Sequence, residues 1–152
     1  MSSQDGKERK RAKKKYDEGF ELRLESKYAE ALAAYKEALS IYRSLDDAFG
    51  QSSCLKDIGA VLRELGRYEE AVEAYRQALE VYRQVEGTEK DQADCLANIV
   101  SLLEKAEQRK EALAIYRQAL DLYRGLPDSE QQQAGCLANI VSLLEKAGQR
   151  KE

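Results

Sequence analysis

Tyr28-Ala-Glu-Ala-Leu-Ala-Ala-Tyr-Lys-Glu-Ala-Leu-Ser-Ile-Tyr42 returns forty residues later as Tyr68-Glu-Glu-Ala-Val-Glu-Ala-Tyr-Arg-Gln-Ala-Leu-Glu-Val-Tyr82, and again, forty-one residues further on, over Arg109 to Tyr123. In each copy alanine, tyrosine and alanine fall at helical spacing: Ala31, Tyr35, Ala38; Ala71, Tyr75, Ala78; Ala112, Tyr116, Ala119. Leu39, Leu79 and Leu120 widen the stripe. Steps of three and four residues put each set on one face of a helix. Small alanines let a neighbouring helix come close, and the tyrosines fill the space between.

A second element precedes each copy. Cys95-Leu-Ala-Asn-Ile-Val-Ser-Leu-Leu-Glu-Lys-Ala106 recurs letter for letter at Cys136 to Ala147. Its apolar stripe is Leu96, Ile99, Leu103 in one copy and Leu137, Ile140, Leu144 in the other, with Leu55, Ile58, Leu62 in the earlier unit. Each unit thus reads as two antiparallel helices, and a lone helix cannot bury its stripe, so neighbours must stack.

The composition agrees. The 152 residues hold one proline, nine glycines, no tryptophan and 35% charged residues. Good helix formers dominate, so an all-α chain is expected. No apolar h-region precedes the first repeat and no apolar run is long enough to span a bilayer, so neither a secretory signal nor a membrane is expected. Three widely spaced cysteines without secretory features point to a reduced, cytoplasmic compartment.

At this point the chain resembles the tetratricopeptide repeat family, whose helix A carries a Leu-Gly pair and whose helix B carries alanine followed by an aromatic. The helix-B part stands three times, at Ala31/Tyr35, Ala71/Tyr75 and Ala112/Tyr116. The helix-A part is best kept by Leu55, Ile58, Gly59 and Leu62; its glycine is also present as Gly19 and becomes Val100 and Val141 later. The closing proline of the family is missing, and a period of 40 to 41 is similar to the longer-helix members. The resemblance implies a right-handed α-solenoid of about 3.5 repeats and seven helices. Its units are 10–46, 47–87, 88–128 and a half unit 129–152, behind a flexible basic arm at 1–9.

The resemblance also implies a non-enzymatic scaffold that receives a protein or peptide on the face lined by the helices A. The positions matching that face are Lys13, Tyr16, Phe20 and Arg23; Lys56 and Arg63; Asn98 and Ser101; and Asn139 and Ser142. Asn98 and Asn139 resemble the family's groove asparagines, which hydrogen-bond a bound peptide's backbone. The subset that clamps a C-terminal carboxylate is not matched, since Tyr16 and Phe20 stand at the first lysine and asparagine positions of that clamp.

Catalysis is not expected. There is no histidine, the commonest base and metal ligand, no Gly-rich phosphate loop, and no partner for a nucleophilic serine or cysteine. Cys54, Cys95 and Cys136 sit at equivalent repeat positions, too far apart to converge on a metal; they read as small apolar core residues. No cofactor, metal or small-molecule substrate is therefore expected.

The two ends differ. Lys14, Glu18, Glu21 and Glu25 give the first helix a polar outer face, as a terminal cap requires. The last helix, near 129–147, copies an internal one. Its Leu137, Val141 and Leu144 would pack on a following helix that would begin at 149–152, where the sequence stops. Self-association through this stripe is the expectation. The run Lys7 to Lys15 carries seven basic side chains and one acidic, ahead of an acidic body with an overall net charge of −3. It reads as a solubilising first turn, with a nuclear-import signal as the alternative; nucleic acid is not the expected partner. The contrasting reading of the whole chain is an engineered or structural repeat array, or a fragment of one, with no ligand. Near-identity of the last two units favours it, and the irregular first unit opposes it.

Overall fold

The computed structural model describes residues 2–105 and 108–149. Seven α-helices lie among them: α1 (Ser3–Leu24), α2 (Tyr28–Ser44), α3 (Ala48–Glu64), α4 (Tyr68–Arg83), α5 (Glu89–Lys105), α6 (Arg109–Arg124) and α7 (Glu130–Gln149). There is no strand among the described residues. The chain divides into two compact units, residues 1–81 and 82–152. Residues 106, 107 and 150–152, which belong to the recurring stretch, lie outside the described residues.

In the first unit α1 packs on α2 and α2 on α3. Its core is the stripe foreseen from the repeat: Ala31, Tyr35, Ala38 and Leu39 of α2 and Leu55, Ile58 and Leu62 of α3 are all buried. The closest approach is made by glycine. A Cβ on Gly19 would stand 2.8 Å from the Tyr35 ring, and one on Gly59 would stand 2.7 Å from the Tyr75 ring. The family's helix-A glycine is therefore a seat for the tyrosine of the paired helix. Gly50, not singled out by the repeat, does the same for Tyr42, whose ring occupies the place of its Cβ.

In the second unit α6 packs between α5 and α7. Leu96, Ile99, Leu102 and Leu103 of α5 are buried with Ala112, Tyr116, Ala119 and Leu120 of α6. Here Val100, itself buried, replaces the glycine seat, and the Tyr116 hydroxyl donates to Glu104 at 3.0 Å.

The turns follow from backbone accounting. After α1 the Lys27 amide reaches back to the Leu22 carbonyl at 2.8 Å and the Ser26 amide to Arg23 at 2.9 Å, with Ser26 at φ 59°. The same pair closes α3, with Gly66 at φ 75°. This wrap satisfies the last carbonyls of a helix and needs a left-handed residue. The longer connections share a device at the 41-residue spacing. The Thr88 hydroxyl donates to the Tyr82 and Val85 carbonyls and accepts from the Gln92 amide; Ser129 repeats this with Tyr123, Leu126 and Gln133. The matching position in the first unit is Asp47, which caps α3 by accepting from the Gly50 amide at 2.9 Å.

Residues 3–9 differ from expectation. They are the first turns of α1, not a flexible arm. A cationic run near a helix N-terminus is opposed by the helix dipole, and acidic partners offset it. Ser2 caps the helix by accepting from the Asp5 amide at 3.1 Å. Glu8 pairs with Arg11 at 2.9 Å and Asp17 with Lys13 at 2.9 Å. Arg9 binds the α3 cap, Asp47, and Lys15 reaches Glu37 of α2 at 3.3 Å. Ala12 is completely buried beneath them.

Two glycine-to-alanine changes test this packing in opposite directions. Gly59→Ala gains helix propensity but forces the Tyr75 ring to move, and should destabilise by about 1–2 kcal/mol. Gly135→Ala in α7 meets nothing within 4 Å and should stabilise α7 by up to ~1 kcal/mol. Urea unfolding of the two variants beside the parent reads both signs.

Candidate functional site

On the face of the first unit formed by α1 and α3, the side chains named from sequence divide into two kinds. Tyr16 and Arg23 are committed to protein contacts. The Tyr16 hydroxyl donates to Asp57 of α3, and the Arg23 guanidinium lies 3.4 Å from the other oxygen of the same carboxylate. The Tyr16 ring also stacks at a tilt on Tyr35, with centroids 5.4 Å apart. Burial, and then the Asp57 hydrogen bond, push the Tyr16 hydroxyl well above the ordinary phenol range, so it remains a donor at any physiological pH.

Asp57 was missing from the sequence-derived set although the repeat spacing leads to it: Asp57, Asn98 and Asn139 occupy one position at intervals of 41. The position that holds asparagine in the two later copies is thus a carboxylate in the first unit. It is neutralised by Arg23 and capped by a tyrosine hydroxyl, and so serves as a rivet between α1 and α3.

The other kind is exposed. Phe20 is 47% exposed and Leu24 67%, and they share a cavity of about 460 Å³ with Arg23, Tyr28 and Glu64. Phe49, which sequence reading passed over, is 79% exposed at the start of α3. It borders two adjoining cavities, of about 520 and 340 Å³, whose walls include Lys10, Lys13, Tyr16 and Tyr42. The signal that could have found it is the Gly50 beside it. That glycine draws Tyr42 in against the helix start and leaves the preceding phenylalanine outside. Lys56 and Arg63 are half-buried on α3. From end to end the α1/α3 face therefore runs from Phe49 among lysines, across the Asp57 rivet, to Phe20 and Leu24.

In the second unit Asn98 is half-buried and turns its amide back to the Asp94 carbonyl at 3.0 Å. Asn139 of α7 is exposed, and Ser101 and Ser142 are half-buried. Leu137, Val141 and Leu144 stand 45%, 51% and 48% exposed along α7, while Leu143 points into the core at 5%.

The three cysteines are buried thiols. Burial pushes the Cys54 thiol up to about 12 from 9.0 and raises Cys136 as well; burial, then the Asp57 charge, raises Tyr35 to about 12 from 10.0. Thiols held this far from ionisation are poor nucleophiles and poor metal ligands at neutral pH. Among the described residues no group of three or more histidine, cysteine or acidic side chains is placed to hold a metal. No helix among the described residues is long and apolar enough to cross a membrane.

The sequence profile described as tetratricopeptide repeat matches residues 19–84 and 54–125. No curated protein matches the chain. Among solved structures, the crystal structure of BtubC (BKLC) from P. vanneervenii superposes with a TM-score of 0.77 at 16% identity, over 90% of this chain and 56% of that one. The chain thus spans little more than half the length of that protein, and the likeness is one of fold.

Raised thiol and phenol pKa values have a definite sign. The folded state holds these groups neutral, so its stability is complete below about pH 9, where the unfolded thiol begins to ionise, and is lost as pH climbs toward 12. Thermal unfolding followed from pH 7 to 11 should show a steady Tm until about pH 9 and a fall beyond it. A thiol reagent at pH 8 should label Cys54 and Cys95 only after denaturant is added.

Proposed function

The chain belongs to the tetratricopeptide repeat family, whose repeats generally mediate protein–protein interaction and are generally non-catalytic, and from that premise we propose that it is a scaffold binding a protein or peptide segment on the α1/α3 face. The observation that carries the reading is the exposure of Phe49, Phe20 and Leu24 on that face, with Lys10 and Lys13 beside Phe49. Large apolar groups exposed in a cleft and rimmed by charge are the usual anchors of a binding surface. The lysines favour an acidic segment that carries apolar side chains. Within the second unit taken by itself, the α5 and α7 positions Asn98, Ser101, Asn139 and Ser142 are proposed as groups that bind a peptide backbone, with Asn98 exchanging its bond to Asp94 for one to the ligand. Lys56 and Arg63 would act as half-buried cations on α3, and Tyr16 and Arg23 as the frame that holds α1 and α3 in register.

Affinity capture from lysate tests it. The parent chain and a Phe20→Ser/Phe49→Ser variant, both of which should fold alike because neither ring is in the core, would be compared by mass spectrometry. The variant should lose the principal partner; identical captures from both would sink the reading.

A second proposal rests on α7. The exposed stripe Leu137, Val141 and Leu144 is an apolar face with no cover from the rest of the described chain, and it supports self-association through α7. In sedimentation velocity the parent should shift to a larger species as its concentration rises into the high micromolar range. Val141→Glu should abolish the shift. A parent that stays monomeric throughout would remove this proposal.

A further inference from the structure

The first unit has a groove on the side away from Tyr16 and Phe20. Its walls are α2 and α4, and its floor is the buried stripe of α3, where Leu55, Ile58 and Leu62 meet Leu39 and Ala74. The cavity measures about 480 Å³. Its two rims carry opposite charge: Lys36 and Arg43 lie along the α2 wall, and Glu70 and Glu73 lie along the α4 wall. At one end the Arg43 guanidinium donates across the groove to the Gln77 side-chain carbonyl at 3.0 Å.

We propose that this groove is a second binding site, and that its occupant is a short amphipathic helix of a partner protein. Such a helix would present an apolar stripe to the floor, carboxylates to the α2 rim and cations to the α4 rim. This site is independent of the α1/α3 face and of any ligand held there.

Three observations select that occupant. The floor is continuous apolar surface between two walls whose backbone groups are satisfied within their own helices. An extended peptide laid there would leave its own N–H and C=O groups facing hydrocarbon, at a cost for each. A helix brings those bonds already made. The lined stretch runs from Lys36 to Arg43 on one wall and from Glu70 to Gln77 on the other, about two helical turns. That length matches anchors at i, i+3, i+4 and i+7. Finally, the sorted charge of the rims fixes the polar flanks of the guest. A wholly acidic or wholly basic helix would meet repulsion on one side. Arg43 gains most from occupancy, since it would exchange a neutral amide acceptor for a carboxylate, and charge-assisted hydrogen bonds are the stronger kind.

The probe is a synthetic helical peptide of about 14 residues, with leucines at i, i+3, i+4 and i+7, glutamates on one flank and lysines on the other. Its binding to the full ¹⁵N-labelled chain would be followed by NMR. Resonances of α2 and α4 should shift. Ser40→Trp, which fills the groove from an exposed rim position, should weaken binding by about tenfold or more. Lys36→Glu/Arg43→Glu should weaken it similarly while improving the affinity for a companion peptide carrying lysine on both flanks. That exchange of preference cannot come from mere loss of fold. No binding up to low millimolar peptide, shifts centred on α1 or on α7, or equal affinity for the parent and both variants would each overturn the proposal.

Discussion

Everything in this molecule depends on the fact that none of its helices can bury its apolar stripe by itself. Each tyrosine of the helix-B series needs a neighbour close enough to cover a ring, and each alanine beside it exists to permit the approach. In the first unit the requirement is carried to its limit: the rings of Tyr35 and Tyr75 lie where a Cβ of the helix-A glycines would be. The family's small residue in helix A is therefore steric, and α1, α2 and α3 are held at a separation that larger residues would forbid. Where valine takes that place, as at Val100, the Tyr116 hydroxyl donates to Glu104 of the same helix A.

That constraint explains why the fold could be read directly and the site could not. Repeating stripes announce burial: the Ala-Tyr-Ala positions and the Leu-Ile-Leu positions of α3 and α5 are in the core as their spacing requires, whereas Leu137 and Leu144 of the α7 copy stand exposed. Exposure has no such period. Phe49 looks like any core phenylalanine at the start of an amphipathic helix, and only the ring of Tyr42 seated on Gly50 accounts for its outward position. Likewise Tyr16 and Arg23 match groove positions by sequence, yet a single carboxylate on the next helix-A element, Asp57, engages both. Pairing across forty residues is invisible to a local pattern. The basic run shows the same limitation: seven cations in nine residues suggest an arm, until Asp47 and Glu37 supply partners from other helices.

The loops carry a second layer of repetition that the apolar pattern does not reveal. Asp47, Thr88 and Ser129 stand at one position of the repeat and each uses a side-chain oxygen at the connection into a helix A. The hydroxyls of Thr88 and Ser129 donate to carbonyls at the end of the preceding helix B, and a glutamine four residues later donates back to them. A carboxylate cannot donate in this way. Asp47 instead accepts from the Gly50 amide of α3 and from Arg9. The carboxylate at that one loop position gives Arg9 of the basic run its partner from outside α1.

Seen in these terms, the charges of the first unit have separate tasks. Asp47, the cap of α3, and Asp57 within it are both half-buried acceptors, and each is met by an arginine of α1. An acid removed from water without such a partner would be costly, so these pairs set the register of α1 against α3. Two further cations of that face, Lys10 and Lys13, lie at its exposed edge by Phe49; Lys13 pairs there with Asp17 at 2.9 Å, an exposed pair that water screens and that adds little stability. Charges that contribute little to stability are available for recognition, and here they adjoin the most exposed aromatic ring of the first unit.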